Sequence, residues 1–115
     1  MNAPAAPAAS DAAGADVDLI VIAKEPVPGR VKTRLTPAYT PAEAAALATA
    51  ALRDTLAAVA AAPARRRVLA LSGTPGPWLP GGFEVVAQRG GGLDERLAHA
   101  FADAYDGRPL VLIGM

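Results

Sequence analysis

Residues 18–35 read DLIVIAKEPVPGRVKTRL, and the interpretation of the whole chain starts from this stretch. Residues 19–23 form a continuous apolar run rich in β-branched side chains, which is typical of a central parallel strand covered on both faces. Four cations and a single carboxylate follow directly: Lys24, Arg30, Lys32, Arg34 and Glu25. Open α/β sheets bind ligands at the carboxyl ends of their strands. The stretch therefore predicts a polyphosphate or nucleotide site behind the first strand.

The loop is predicted to be stiff before any ligand arrives. Pro26 and Pro28 fix their own φ angles and favour extended conformations in the residues before them. Gly29 provides one position at which the backbone can turn or approach a phosphate closely. Beyond it every second residue is a cation, so an extended segment would place Arg30, Lys32 and Arg34 on one side. The alternative is a solvated basic surface loop.

Composition limits the classes of function. Hydrophobic residues make up 52% of the 115 residues but aromatic ones only 4%, so the core must consist of Leu, Val, Ile and Ala. The 11 basic and 11 acidic residues give a formal net charge of zero, which argues against a nucleic acid or a membrane surface as partner. The absence of cysteine excludes disulfides, thiolate zinc sites and cysteine nucleophiles.

Two regions are expected. Residues 1–17 are rich in Ala and Pro and lack the basic and leucine-rich parts of a secretory signal, so they are predicted to form a disordered tail. Residues 18–115 are predicted to form the folded part. The strongly apolar runs are shorter than the ~20 residues of a membrane span, which predicts a soluble, cytoplasmic protein.

The remaining elements are predicted from caps and periodicity. Thr40, Pro41 and Glu43 form the start of a helix with a capping box, and this helix should end near Ala62, before Pro63. Its buried stripe is expected to contain Leu47, Leu52, Leu56 and Val59. Strands are predicted at 68–71, 83–87 and 110–113, and a second helix at 93–105. The order β, α, β, β, α, β predicts a three-layer α/β/α fold with a mainly parallel sheet. We expect it to be incomplete at the C-terminus.

Several residues allow a functional and a structural interpretation. The triplet 65–67 could bind phosphate, but a solvated turn is favoured because it precedes its strand. Trp78 could stack on a ligand, yet packing over its loop is favoured. His99 could be a catalytic base, yet a solvated helix face is favoured. Asp94 and Glu95 point in different directions on a helix, so they are interpreted as favourable first-turn acids rather than metal ligands.

A second glycine-bearing loop, QRGGGLDER at 88–96, runs from the third strand into the second helix. It could supply backbone N–H groups to a phosphate or nucleobase at the same sheet edge as the basic loop. Neither loop is a standard motif. Arg30 and Val31 separate Gly29 from Lys32, which rejects a Walker A loop, and the glycines 90–92 lack the spacing of a dinucleotide fingerprint.

The strings VIAKEPVPGRVKTRLTP, QRGGGLDERLAHAF and PLVLIGM resemble the N-terminal half of the cofactor-biosynthesis guanylyltransferase-like (CofC-like) glycosyltransferases. These enzymes belong to the nucleotide-diphospho-sugar transferase superfamily and have a Rossmann-like GT-A fold. The resemblance spans residues 18–115. It implies that the basic loop wraps the nucleotide phosphates. The nucleotide-binding set carried over from the matched strings is Ala23, Lys24, Pro28, Gly29, Arg30, Lys32, Thr33, Arg34, Gln88, Gly90, Gly91, Gly92 and Arg96.

The second block departs from the family pattern Gln-Gly-x-Gly-Asp-Leu-Gly-x-Arg. Gly92 stands where that pattern has aspartate, and Asp94 stands where it has glycine. The exchange puts a role for Asp94 in doubt. Catalytic residues are not identified in this chain.

The resemblance implies a metal-dependent glycosyltransferase with a nucleotide-diphospho-sugar donor and a small-molecule acceptor. The Mg²⁺ or Mn²⁺ ligand would be an aspartate after Met115, with no metal ligand within the chain. The 115 residues would then be the nucleotide-binding part and inactive by themselves, since the metal stabilises the leaving group. Two alternatives stay open: a guanylyltransferase-like nucleotidyltransferase using a nucleoside triphosphate, and a non-catalytic nucleotide-binding module or truncated product.

Overall fold

The computed structural model describes residues 16–31 and 38–114. Most of the predicted tail, the loop residues Lys32, Thr33 and Arg34, and Met115 lie outside the described residues. The elements are β1 (Asp18–Lys24), α1 (Pro41–Ala61), β2 (Arg66–Ser72), β3 (Glu84–Ala87), α2 (Leu93–Ala104) and β4 (Leu110–Ile113).

The four strands form one parallel sheet in the order β3-β2-β1-β4. The predicted α/β, Rossmann-like fold with a parallel sheet is thus confirmed. The chain adds β2 and β3 on one side of β1 and then returns to place β4 on the other side. Strand order therefore reverses between β1 and β4, which is the kind of switch point where open α/β sheets bind ligands.

The helices cover opposite faces of the sheet. Alternate strand residues, Val21 and Leu69 among them, pack with Leu52, Leu56 and Val59 of α1. The intervening strand residues, such as Ile20 and Val68, pack with the small side chains of α2. Strands buried on both faces require apolar residues at successive positions, which explains the runs in the sequence. Trp78 is 8% exposed and lies in the α1 cluster, as the packing interpretation predicted.

The ends of α1 follow the predicted signals. The Thr40 hydroxyl accepts a hydrogen bond from the Glu43 N–H at 3.1 Å, and the Glu43 carboxylate accepts one from the Thr40 N–H at 2.8 Å. The bond from the Thr40 backbone N–H is the main cause that holds the pKa of Glu43 below its usual value, and the Thr40 side chain adds to the effect. The helix ends at Ala61, and the Ala62 N–H donates to the carbonyls of Ala58 and Val59.

The prediction is wrong for one residue of the buried α1 stripe. Leu47 is 46% exposed, whereas Leu52 and Leu56 are buried. At about 100° per residue, Leu47 lies about 180° around the helix from Leu56. Ala44, Ala45 and Ala48 occupy the buried positions of the first turns instead, because a small side chain lets the helix approach the sheet.

By length and composition α1 is also long and apolar enough to cross a membrane, the one such helix among residues 16–31 and 38–114. It packs Leu52, Leu56 and Val59 against the sheet. Arg53 and Asp54 of the same helix are exposed.

The amino edge of the sheet is held by an ion-pair network, so the solvated turn predicted at 65–67 is wrong. Asp18 is 1% exposed and accepts from Arg65 Nε at 2.9 Å and Arg66 Nη1 at 3.2 Å. Arg65 also pairs with Asp106, lowering the pKa of that carboxyl. Arg67 donates to the carbonyls of Val59 and Ala62, where α1 ends. These guanidinium groups serve the fold because a buried carboxylate and free helix carbonyls require donors.

Candidate anion-binding site

The loop after β1 is a pair of tight turns. The Val27 N–H donates to the Glu25 carbonyl at 2.9 Å across Pro26, which is the bond of a γ-turn. The Arg30 N–H then donates to the Val27 carbonyl at 3.0 Å, with Pro28 and Gly29 between them. Gly29 has φ +82°, as the third residue of a type II turn requires. The prolines and the glycine singled out in the sequence thus occupy the turn positions, and the stiffness of the loop stays a prediction.

Lys24 and Arg30 close this loop at its base. The Lys24 ammonium donates to the Arg30 carbonyl oxygen at 3.0 Å, which fixes the lysine over the turn. Both residues are exposed, and both line a cavity at the carboxyl end of β1. The bond uses one of the three ammonium hydrogens, so the remaining donors can reach a ligand.

Glu25, the one carboxylate of the basic stretch, is held on the side of β2. Its backbone N–H donates to the Ser72 carbonyl at 2.8 Å, and its Oε1 accepts from the Thr74 N–H at 2.9 Å. It does not line the cavity. The loop therefore presents its cations without this carboxylate among them.

The cavity has a volume of about 570 Å³ and lies at the switch point between β1 and β4. Its walls are mainly apolar and come from both helices and both strands, with Leu52, Leu97 and Leu112 as examples. The charged residues among its described lining are all cations: Lys24, Arg30 and Arg96. A low-dielectric wall beside charges of one sign concentrates the field, so the cavity attracts an anion.

The side chain of Gln88, which follows β3, forms hydrogen bonds to the main chains of β2 and β1 at the carboxyl edge of the sheet. Its side-chain N–H₂ group donates to the carbonyls of Ala23 at 2.6 Å and Ala70 at 3.0 Å. Its Oε1 faces Arg96 Nη1 at 3.4 Å. Gln88 lines the cavity, as predicted for a binding residue, but both of its donors bond to the main chain. Its role in this geometry is to hold neighbouring groups in place.

Arg96 lines the cavity, and one of its side-chain donors is unsatisfied among the described residues. Its Nε is buried and has no hydrogen-bond partner within the described parts of the chain. A buried N–H without an acceptor costs roughly 1–3 kcal/mol relative to a satisfied one.

The three glycines lie apart from the cavity. The Gly91 N–H donates to the Glu95 carboxylate at 3.2 Å, and a Cβ on Gly90 would lie 2.9 Å from Glu95 Cβ. Gly92 is the N-cap of α2 and makes no side-chain cap bond. The three predicted glycines therefore lie at the start of α2, and Pro28 and Gly29 shape the turn after β1. The predicted binding residues that do line the cavity are Ala23, Lys24, Arg30, Gln88 and Arg96.

The glycine loop is also anchored along α2. Arg89 pairs with Asp103 through two bonds, Nε to Oδ2 at 2.9 Å and Nη2 to Oδ1 at 2.7 Å, which lower the pKa of Asp103. His99 Nδ1 lies 2.9 Å from the Arg89 carbonyl oxygen, an acceptor, so this nitrogen carries the proton. His99 is half-buried and structural, rather than on the solvated face expected for it.

The apolar walls were missed by sequence reasoning. Ile22 and Leu112 belong to strands, and Ala48 and Ala51 to the stripe of α1. Each looks like a core residue in the sequence. These residues line a cavity because the strand order reverses between β1 and β4. That reversal depends on the position of β4 and cannot be derived from local patterns.

The described residues do not fit a divalent metal. No group of three or more His, Asp or Glu side chains within residues 16–31 and 38–114 could hold one. The charged lining of the cavity is cationic, whereas Mg²⁺ and Mn²⁺ prefer oxygen ligands. The Mg²⁺ or Mn²⁺ ion remains a prediction from the sequence.

Comparison with known proteins supports the superfamily expected from the sequence. The model of a family described as "Uncharacterized protein conserved in bacteria" (DUF2064) matches residues 38–115. A crystal structure from Desulfovibrio desulfuricans G20, provisionally named a nucleotide-diphospho-sugar transferase, is similar with a TM-score of 0.71 and 30% sequence identity. The similarity covers 87% of this chain and 47% of that one, so this chain spans about half of its length. None of the curated proteins matches the chain.

Proposed function

The chain belongs to the bacterial DUF2064 family, and we propose that it is the nucleotide-binding part of a nucleotide-diphospho-sugar transferase. The observation that carries this proposal is the cavity at the switch point, where the charged residues of the described lining are Lys24, Arg30 and Arg96. The solved structure with the same fold carries a name of this class.

In this proposal the diphosphate of the donor lies against Lys24 and Arg30. An ammonium and a guanidinium group form short, charge-assisted hydrogen bonds to phosphate oxygens, which are about twice as strong as neutral ones. Arg96 adds a third cation from α2. Lys32, Thr33 and Arg34 join the site on the evidence of the sequence alone. The apolar walls exclude water from the remainder of the nucleotide and strengthen these interactions.

The proposed reaction is glycosyl transfer. The bond between the anomeric carbon of the sugar and the diphosphate oxygen breaks, and the oxygen of an acceptor hydroxyl forms the new bond. The hydroxyl proton passes to solvent, and a nucleoside diphosphate leaves. The cations stabilise the negative charge that develops on this leaving group. A divalent metal would add to that stabilisation, but the described residues contain no group of three or more His, Asp or Glu side chains that could hold it.

Two measurements on the full-length protein test the proposal. Isothermal titration calorimetry with GDP, UDP, ADP, CDP and dTDP should detect binding of at least one nucleoside diphosphate. Product analysis with the corresponding nucleotide sugars should then detect release of that nucleoside diphosphate. Release of pyrophosphate from a nucleoside triphosphate would instead support the guanylyltransferase-like alternative. Absence of binding by all five compounds would refute the nucleotide site.

A further inference from the structure

We propose that Glu25 is a positioning residue for the cationic site. Its carboxylate ties the loop 24–30 to the segment Gly73–Thr74 and so holds Lys24 and Arg30 toward the cavity. The inference rests on the proposed function, because it assigns a role within the same anion site. Glu25, the only acidic residue of the basic stretch 24–35, would thus contribute to anion binding.

The tether joins the ends of two neighbouring strands at two points. The Glu25 backbone N–H donates to the Ser72 carbonyl at 2.8 Å, one residue beyond the last pair of the β1–β2 ladder, Lys24 and Ser72. The Glu25 Oε1 then accepts from the Thr74 N–H at 2.9 Å. Backbone and side chain together fix both the position and the direction of the residue.

The cationic turns are built directly on this anchor. The Glu25 carbonyl accepts from the Val27 N–H at 2.9 Å, which begins the first turn. The second turn ends at Arg30, whose carbonyl receives the Lys24 ammonium at 3.0 Å. Rotation of Glu25 away from Thr74 would therefore disturb both turns and the two cations that they place.

The segment after β2 is shaped to receive the glutamate. A Cβ on Gly73 would collide with Glu25 Cβ and lie 2.6 Å from its Oε1. Gly73 also has φ +124°, a conformation that side chains rarely adopt. Glycine at this position leaves the space that the carboxylate occupies.

Because Glu25 is negatively charged, the direction in which its substitution changes the anion affinity tests the inference. A carboxylate beside a cationic site lowers anion affinity through its charge alone. If Glu25 acted only through charge, every neutral substitution would strengthen anion binding. If it acts as a tether, the result depends on whether the new side chain can still accept the Thr74 N–H bond.

The decisive comparison is between Glu25→Gln and Glu25→Ala in the full-length protein. Both remove one negative charge, but only glutamine keeps a carbonyl oxygen for Thr74. We expect Glu25→Gln to bind the nucleoside diphosphate as tightly as the wild type or up to about threefold more tightly. Glu25→Ala should bind roughly tenfold more weakly, because it loses the hydrogen bond that positions the loop. Gly73→Ala should weaken binding in the same direction as Glu25→Ala. Calorimetric Kd values are the readout, and thermal unfolding confirms that each variant is folded.

Equal or tighter binding by Glu25→Ala than by Glu25→Gln would overturn the inference. Amide hydrogen exchange at Arg30, whose N–H closes the second turn, tests the tether without ligand. Faster exchange in Glu25→Ala than in Glu25→Gln supports it, and equal rates contradict it. If no nucleoside diphosphate binds to the wild type but the exchange rates differ, the proposed function fails and the tether stands.

Discussion

The side-chain nitrogen of Gln88 lies 2.6 Å from the carbonyl oxygen of Ala23. Gln88 directly follows β3, and Ala23 is the last but one residue of β1. These two strands are not neighbours, because β2 lies between them. The same nitrogen bonds the Ala70 carbonyl of β2 at 3.0 Å. One amide thus joins the carboxyl ends of three strands and leaves its oxygen facing Arg96.

Replacement of Gln88 by methionine should destabilise the fold. Gln88→Met keeps the size of the side chain but removes both donors, so the free energy of unfolding should fall by about 1–3 kcal/mol. Gln88→Glu should cost more at neutral pH, because a carboxylate oxygen would face two carbonyl oxygens. Urea denaturation measures both variants. An unfolding free energy unchanged in Gln88→Met would show that the amide bridge contributes nothing.

The helix α1 contains a matched pair of leucines for testing its packing. Leu56 is fully buried and Leu47 is 46% exposed. Leu56→Ala should lower the free energy of unfolding by about 2–5 kcal/mol, because it leaves a cavity between α1 and the sheet. Leu47→Ala should change it by about 0.5 kcal/mol or less. Similar losses in both variants, measured by denaturant unfolding, would contradict the assigned burial.

The ion-pair network at the amino edge predicts a pH dependence. Hydrogen bonds from Arg65 hold the pKa of Asp106 below the value of about 3.9 for an unfolded aspartate. The stabilisation by this carboxylate is therefore present above about pH 4 and is lost as the pH falls through the lower folded pKa. Asp106→Asn should be less stable than the wild type at pH 6, and the difference should shrink below about pH 4.

Asp54→Asn removes one exposed carboxylate outside the network and serves as the control. Thermal unfolding of the three proteins between pH 2.5 and 7, a range chosen to bracket the usual aspartate pKa of about 3.9, provides the measurement. A stability difference between the wild type and Asp106→Asn that stays constant across this range would count against the assigned ion pair.

Local signals in the sequence were sufficient for the elements and for the basic loop. The capping box at Thr40 and Glu43, the end of α1 before Pro63 and the strand 110–113 all depend on neighbours in the chain. The error at Leu47 arose because its hydrophobicity outweighed its position on the helix. The buried alanines show that close approach to the sheet decided which side faced inward.

Long-range partners could not be predicted in the same way. Arg65 and Asp18 are 47 residues apart, and Gln88 and Ala23 are 65 apart, so neither contact leaves a local pattern. A basic triplet has the same composition whether it lies in solvent or holds a buried carboxylate. The parallel pairing of β1 with β2 brings Asp18 beside Arg65, and the pairing of β2 with β3 is also needed to bring Gln88 to Ala23.

The central claim is that the cations at the switch point bind a nucleoside diphosphate, and the most direct test is the affinity of Arg30→Ala. Arg30 is exposed, lines the cavity and contributes only backbone groups to the described hydrogen bonds, so its side chain can be removed without disturbing the turn. Loss of one charge-assisted contact should weaken binding about tenfold. Arg53→Ala, which removes an exposed cation of α1 that is not among the residues lining this cavity, should leave the Kd unchanged. Equal affinities of Arg30→Ala and the wild type in calorimetric titrations would contradict the claim.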